Sequence, residues 1–288
     1  MKLFRYGDWG KERPGAFVNG ELTDVFAFGE DYTEQFFETN GLQRLRAFIN
    51  ANPRLLKPVP QGVRLGAPVC RPSKLICIGL NYVDHAIETN LPIPEEPVVF
   101  FKSTTAICGP NDDVMLPRGS TKTDWEVELA VAIGKRARYI DESDALDHVA
   151  GYLLHNDYSE RAFQLEHGGQ WVKGKSCDTF APLGPYLVTP DELGDVHNLA
   201  MWLSVNGKTI QESNTSQLIF RIPRIISYLS RFMTLLPGDI ISTGTPSGVG
   251  MGLNPPTFLK PGDRVELGID GLGSSGQNIV PFSTNYIL

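Results

Sequence analysis

From Lys74 onward, apolar and polar positions alternate in short runs closed by glycine and proline. The segments "KLICIGL", "PVVFFKS", "WEVELAVAIG", "GYLLHND", "GPYLVT", "MWLSVNG", "DIISTG" and "DRVELGID" each carry the two-residue period or the apolar run of a strand. Helical spacing is confined to "NYVDHAIET", "YSERAFQLEH" and "IPRIISYLSRFM". Many short strands with few helices predict an α+β, mostly β architecture, an antiparallel or mixed sandwich or roll rather than alternating βα units. Residues 1–69 read differently, as a smaller α+β segment: strands in "KLFRYG" and "GAFVNGELTDV", then a helix from about Tyr32 to Asn52, ended by Pro53. The Pro- and Gly-rich passage "KPVPQGVRLGAPVCRPSK" reads as a linker, which divides the chain into domains at 1–69 and 70–288.

The strand pattern raises a chemical question at "TDWEVELAV", residues 123–131. Trp125, Val127, Leu129 and Val131 share one face, leaving Glu126 and Glu128 adjacent on the other beside Ala130. Two carboxylates about 7 Å apart repel by roughly 2 kcal/mol at an effective dielectric of 20. Either water solvates that face, or a divalent cation neutralises it; magnesium takes a few carboxylate oxygens and keeps positions for substrate. Asp157, at the end of the apolar run "GYLLHND", is a candidate third ligand, or else the cap of the helix expected after it. His155, two residues earlier, is a core or supporting residue, because an oxygen-rich site has no need of imidazole.

Other candidates surround this nucleus. Arg161 and Gln164 share a face of the expected helix, either to hold a carboxylate or carbonyl of a ligand or, for Arg161, to pair with Asp157 four residues back. In "GLNYVDHAIETNLP", Asn81 is placed to cap a short helix with Asp84 in its first turn, ending at Asn90. His85 and Glu88 then lie three apart on one face: a carboxylate-oriented general base, or an ordinary surface pair. Lys173 and Lys175 flank Gly174 and point the same way if that segment is extended, where a lysine could balance a developing anion. Lys102 sits in the otherwise apolar strand "VVFFKS". The loop "DIISTGTPSGVGMG" fits neither a P-loop nor a dinucleotide fingerprint; its N–H groups and the Thr243 and Thr245 hydroxyls suit either a carboxylate nest or a tight turn.

Composition removes several classes. The chain carries 41% hydrophobic and 20% charged residues and a net charge of −7 with no Lys/Arg run, which argues against nucleic acid. No apolar stretch reaches the length of a membrane helix, and "MKLFRYGDWGKERPG" lacks the apolar core of a signal peptide. Cys70, Cys77, Cys108 and Cys177 form no metal or redox spacing and suit a reducing cytosol, so a cytoplasmic location is expected.

Taken in order, "GLNYVDHAIE", "FFKSTTA", "DWEVELAVAIGK", "NDYSERAFQ", "KGKSCDTFAPLGP" and "STGTPSGVG" resemble the fumarylacetoacetate hydrolase family over roughly residues 72–282. The resemblance implies a mixed β-sandwich roll, a homodimer, and Mg²⁺ (with Mn²⁺ or Ca²⁺ as alternatives) held by Glu126, Glu128 and Asp157. It implies His85 and Glu88 as a catalytic dyad on a lid, Lys175 as a catalytic cation, and Arg161, Gln164, Thr245 and Lys102 as substrate-binding residues. Asn81 stands where fumarylacetoacetase proper has a further acidic ligand, which points to the acylpyruvase-like and bacterial branches. The implied substrate is a small 2,4-diketo acid, an acylpyruvate or a 2,4-diketo-3-deoxy sugar acid, cleaved to pyruvate and a carboxylic acid. Oxaloacetate decarboxylation or a ureidoglycolate-type lyase reaction is the alternative on the same metal–enolate chemistry, and a binding protein without turnover is a third.

Overall fold

The structure, a computed structural model, describes residues 1–88 and 92–284. It is mixed α+β and mostly sheet, as the strand pattern predicts. Two sheets face each other. The larger runs in the order Lys57–Pro58, Glu21–Asp24, Arg13–Val18, Lys2–Tyr6, Leu187–Val188, Val149–Asn156, Val127–Ile133, Ile240–Ser242, Leu75–Gly79, Val98–Lys102. The smaller contains Lys208–Asn214, Ala200–Val205, Arg264–Ile269, Gly273–Val280 and Val114–Met115. Both are mixed: Ile240–Ser242 runs parallel to Leu75–Gly79, and Gly273–Val280 parallel to Val114–Met115.

The strand Val127–Ile133 is buried along its whole length, because it lies centrally in the large sheet and packs against Ala200–Val205 and Arg264–Ile269 of the small one. Val127, Leu129 and Val131 join Leu203, Val265 and Leu267 in one continuous apolar core. The helix Ile222–Ser230, started by Pro223 in its first turn, buries Ile225, Ile226 and Leu229. Among the described residues no helix is long and apolar enough to cross a membrane.

Several local expectations are corrected. The stretch 32–52 is two helices, Glu34–Glu38 and Gly41–Ala51, because Asn40 adopts a left-handed conformation (φ 58°) between them. A Cβ on Gly41 would lie 2.3 Å from Phe36, so this tight corner admits only glycine. The Pro-rich passage read as a linker is tied down: Lys57–Pro58 pairs with Glu21–Asp24, Leu65–Gly66 pairs with Lys2–Tyr6, and Arg64 grips Asp112 and Glu12. Asn81 caps no helix. Its amide donates to the Phe220 and Thr243 carbonyls (3.1 and 2.8 Å) and accepts from Phe220 N (2.7 Å). The helix that follows spans Val83–Glu88, and the end expected at Asn90 lies outside the described residues.

The segment expected as the helix "YSERAFQLEH" begins as a strand, Ser159–Glu160, paired with Thr123–Asp124, and continues as a π-helical turn at Ala162–Glu166. Nor is the run 123–131 one strand: it breaks at Trp125–Glu126 into Thr123–Asp124 and Val127–Ile133. The reason lies across the sheet, where the Asn156 side chain accepts the Glu126 N–H at 3.0 Å in place of a ladder bond.

Candidate active site

Antiparallel pairing of Val127–Ile133 with Val149–Asn156 builds the site. Its register sets Val127 opposite Asn156 and Glu128 opposite His155, and the next step, a bond from Asp157 N to Glu126 O (2.9 Å), sets Glu126 beside Asp157. Glu126, Glu128 and Asp157 therefore share one face, all three buried, with a ligand oxygen of each within 4.8 Å of the others. It is the only such group among the described residues.

Their charge is only partly answered by protein cations. Lys175 Nζ lies 2.7 Å from Glu126 Oε2 and 2.8 Å from Asp157 Oδ2, and Lys102 Nζ lies 2.5 Å from Asp157 Oδ1. Arg161 contacts Asp124 (2.8 Å) and Glu126 (2.7 Å). Counting Asp124, four buried carboxylates face three cations. Burial opposes ionisation of Asp157, but the Lys102 and Lys175 ammonium groups outweigh it and hold the carboxyl well below its usual range. Burial likewise opposes the charged Lys175, but Asp157 and Glu126 hold its pKa above the usual lysine value. Glu128 is the residue left uncompensated: burial first, then Asp157 and Glu126, push it well above an ordinary carboxylic acid. Buried, all-oxygen, convergent and one charge in excess, this donor set fits a hard divalent cation.

Glu128 is held from behind. Its Oε2 accepts the Ser242 hydroxyl and the Gly244 N–H (3.0 Å). Ser242 Oγ has one proton, which it gives to Glu128, so at 2.7 Å it accepts from His155 Nδ1. Burial lowers the His155 pKa to about 3, which keeps the ring neutral. Its Nε2 is the only buried side-chain polar atom without a hydrogen-bond partner among the described residues.

The helix Val83–Glu88 brings His85 Nδ1 to 3.1 Å from Glu88 Oε2. The glycine-rich loop does hold carboxylates, but they are the protein's own. Gly248 N donates to Glu88 Oε1, Gly250 N and Met251 N donate to Asp124, and Gly244 N serves Glu128. The Thr243 and Thr245 hydroxyls instead donate to the Leu129 and Val127 carbonyls.

A cavity of about 240 Å³ opens over this constellation. Of the sequence candidates, His85, Glu126, Glu128, Arg161, Gln164, Lys175 and Thr245 line it. Arg161 and Gln164 meet directly (Nη1 to Oε1, 3.1 Å), although no regular α-helix carries them. Lys102 does not reach the wall; its ammonium is spent on Asp157 and the Tyr158 carbonyl. Nor do Lys173 and Lys175 point together: Val172–Lys175 is a helical turn that buries Lys175 and leaves Lys173 exposed, bonded to the His167 carbonyl.

The sequence pattern does not single out Asp124, Ser242 or the apolar wall of Phe100, Leu165, Trp171 and Met251. Asp124 stands two residues before Glu126, so the two-residue period was its available signal; the wall residues come from four segments and had none. A larger cavity of about 690 Å³ lies elsewhere; two of its three arginines, Arg5 and Arg64, are taken up by Glu12, Asp31 and Asp112.

A mixed-sheet fold with a buried Glu-x-Glu and Asp cluster beneath a His–Glu pair defines a class, and comparison agrees. Residues 74–280 match the family model described as fumarylacetoacetate hydrolase, C-terminal. The chain belongs to the fumarylacetoacetate hydrolase family and is an enzyme. It is 52% identical over 280 residues to a Burkholderia ambifaria protein that carries a hydrolase name, covering 96% of this chain and 98% of that one. Among solved structures, the fumarylacetoacetate hydrolase of Exiguobacterium antarcticum superposes with a TM-score of 0.84 at 33% identity, covering 98% and 100% of the two chains. The maleylpyruvate hydrolase of Sphingobium sp. SYK-6, in complex with manganese(II) and pyruvate, gives 0.82 at 32% identity with the same coverage.

Proposed function

We propose that this enzyme hydrolyses the C3–C4 bond of small 2,4-diketo acids, releasing pyruvate and a carboxylic acid. The observation that carries the reading is His85, held by Glu88, lining the same cavity as Glu126, Glu128 and Lys175. We place catalysis in residues 70–288, with 1–69 a smaller unit, and take the enzyme to act as a homodimer. The manganese- and pyruvate-bound relative supports a cation and a pyruvate-like product in this site too.

Glu126, Glu128 and Asp157 would hold Mg²⁺, or Mn²⁺ or Ca²⁺ in its place, which when bound supplies Lewis-acid polarisation of the α-keto acid end. Glu88, itself fixed by Gly248 N–H, holds His85 Nδ1 and so sets the ring for proton transfer at Nε2. His85 takes a proton from water as the water oxygen adds to C4. The C3–C4 bond then breaks, its electron pair passing to C3 as the enolate of pyruvate, while C4 leaves in the carboxylic acid. Protonation of C3 by the charged His85 completes pyruvate and restores the base. Lys175 stands beside the developing enolate. Arg161, Gln164 and Thr245 line the cavity where the substrate must lie. Lys102 acts through Asp157, holding that carboxylate in place.

The test is product analysis on a panel of 2,4-diketo acids with divalent metal. Hydrolysis gives pyruvate plus a second acid; a decarboxylase acting on oxaloacetate gives pyruvate plus carbon dioxide. His85→Ala is expected to cut kcat by roughly 10²–10⁴-fold while leaving metal affinity intact. Near-normal turnover in that variant would remove His85 as the base.

A further inference from the structure

Above its charged floor the cavity is walled by Ile78, Phe100, Leu165, Trp171 and Met251. Trp171 is fixed there: its ring meets Phe100 edge-on at 5.4 Å, and it lies so close to Gly79 that a Cβ at that residue would come within 2.9 Å of it. Among the described residues, the lysine and arginine that line the cavity both turn to its acidic floor and away from the apolar wall. Lys175 bridges Glu126 and Asp157, and the Arg161 guanidinium contacts Asp124, Gln164 and Glu126 through three nitrogens.

Resting on the hydrolase reading above, we infer that the acyl end of the substrate is an alkyl or aryl group, not a carboxylate or a polyhydroxylated chain. With a divalent cation held by Glu126, Glu128 and Asp157, the diketo acid's charged end would go to that floor beside Lys175, so the acyl end meets the apolar wall. A terminal carboxylate there would lose its water without gaining a counter-ion, and a row of hydroxyls would lose theirs without partners. An apolar acyl group instead gains from burial against Trp171, Phe100 and Met251. The volume, about 240 Å³, is below the roughly 300–1,000 Å³ of drug-sized pockets, which sets a small substrate. The inference separates this chain from its maleylpyruvate-hydrolysing relative, whose substrate ends in a carboxylate.

The experiment compares kcat/KM for acylpyruvates of matched length ending in methyl, phenyl, carboxylate or several hydroxyls, measured as pyruvate release with Mg²⁺. The apolar members are expected to exceed the carboxylate and hydroxylated ones by on the order of ten- to hundred-fold. Leu165, 46% exposed at the rim, tolerates a long side chain, so Leu165→Arg is expected to narrow the methyl-to-carboxylate ratio several-fold by supplying the missing counter-ion. Equal or reversed preference in the native enzyme overturns the inference and leaves the hydrolase reading standing. Release of pyruvate from none of the panel removes both.

Discussion

Gly248 donates its backbone N–H to Glu88 Oε1 at 2.9 Å, across 160 positions of sequence. The other carboxylate oxygen holds His85 Nδ1, so the glycine-rich loop sets the dyad's geometry from a distance. The same loop brings Gly252 so close that a Cβ there would lie 2.8 Å from the Glu88 carboxyl carbon. Gly252→Ala is therefore expected to swing Glu88 off His85 and lower kcat on the order of ten- to hundred-fold. Metal affinity, read by calorimetric titration, should be unchanged; a fall in affinity instead would place the loop's effect on the acidic cluster.

Charge balance predicts opposite outcomes for two neighbours. Lys175→Met strips the shared cation from Glu126 and Asp157 and should cost about 3–5 kcal/mol in metal-free protein, measured by urea unfolding in chelator. Glu128→Gln removes one negative charge from a cluster that already has one too many. Metal-free protein should become more stable while its metal-dependent gain in Tm disappears.

The hydrogen-bond chain from His155 through Ser242 positions one oxygen of Glu128. Ser242→Ala should weaken divalent-metal binding by roughly 10–100-fold, with turnover recovered at high metal concentration. Unaltered affinity would show that Gly244 N–H alone suffices.

Metal removal has a thermodynamic signature of its own. If the native state alone binds the cation, saturating it at 100 times its Kd should add about 2.7 kcal/mol of apparent stability. A chelator should reverse the gain, and Glu126→Ala should show none and no turnover. An equal rise in Glu126→Ala would locate binding elsewhere.

A pH effect is expected at a residue outside the cavity lining. His197 Nε2 accepts the N–H of Ile222, at the start of the Ile222–Ser230 helix, which requires a neutral ring. Burial, aided by Arg221 and opposed by Asp195, lowers its pKa. A group whose pKa is depressed by folding contributes stability above its unfolded value, near 6.5, and loses it as pH falls from there. Thermal melts should thus drop in Tm below pH 6.5 in the native protein and drop less steeply in His197→Gln, where the slope that remains comes from the buried neutral His155.

Much of this molecule was written locally. The two-residue alternation marked the strands, the Glu126-x-Glu128 spacing marked a charged face, and the three-residue spacing of His85 and Glu88 put those two side chains on one side, because backbone periodicity alone decides which nearby side chains share a side. What the chain order could not contain was pairing between distant segments. Setting Glu126 beside Asp157 needed the strand register; placing Asp124 under Arg161 needed the Trp125–Glu126 break made by Asn156; gathering Phe100, Leu165, Trp171 and Met251 needed four separate elements to pack. Such contacts depend on loop closure and burial summed over the whole fold, and so the polar groups of the candidate site were legible in the sequence while the shape of the cavity above them was not.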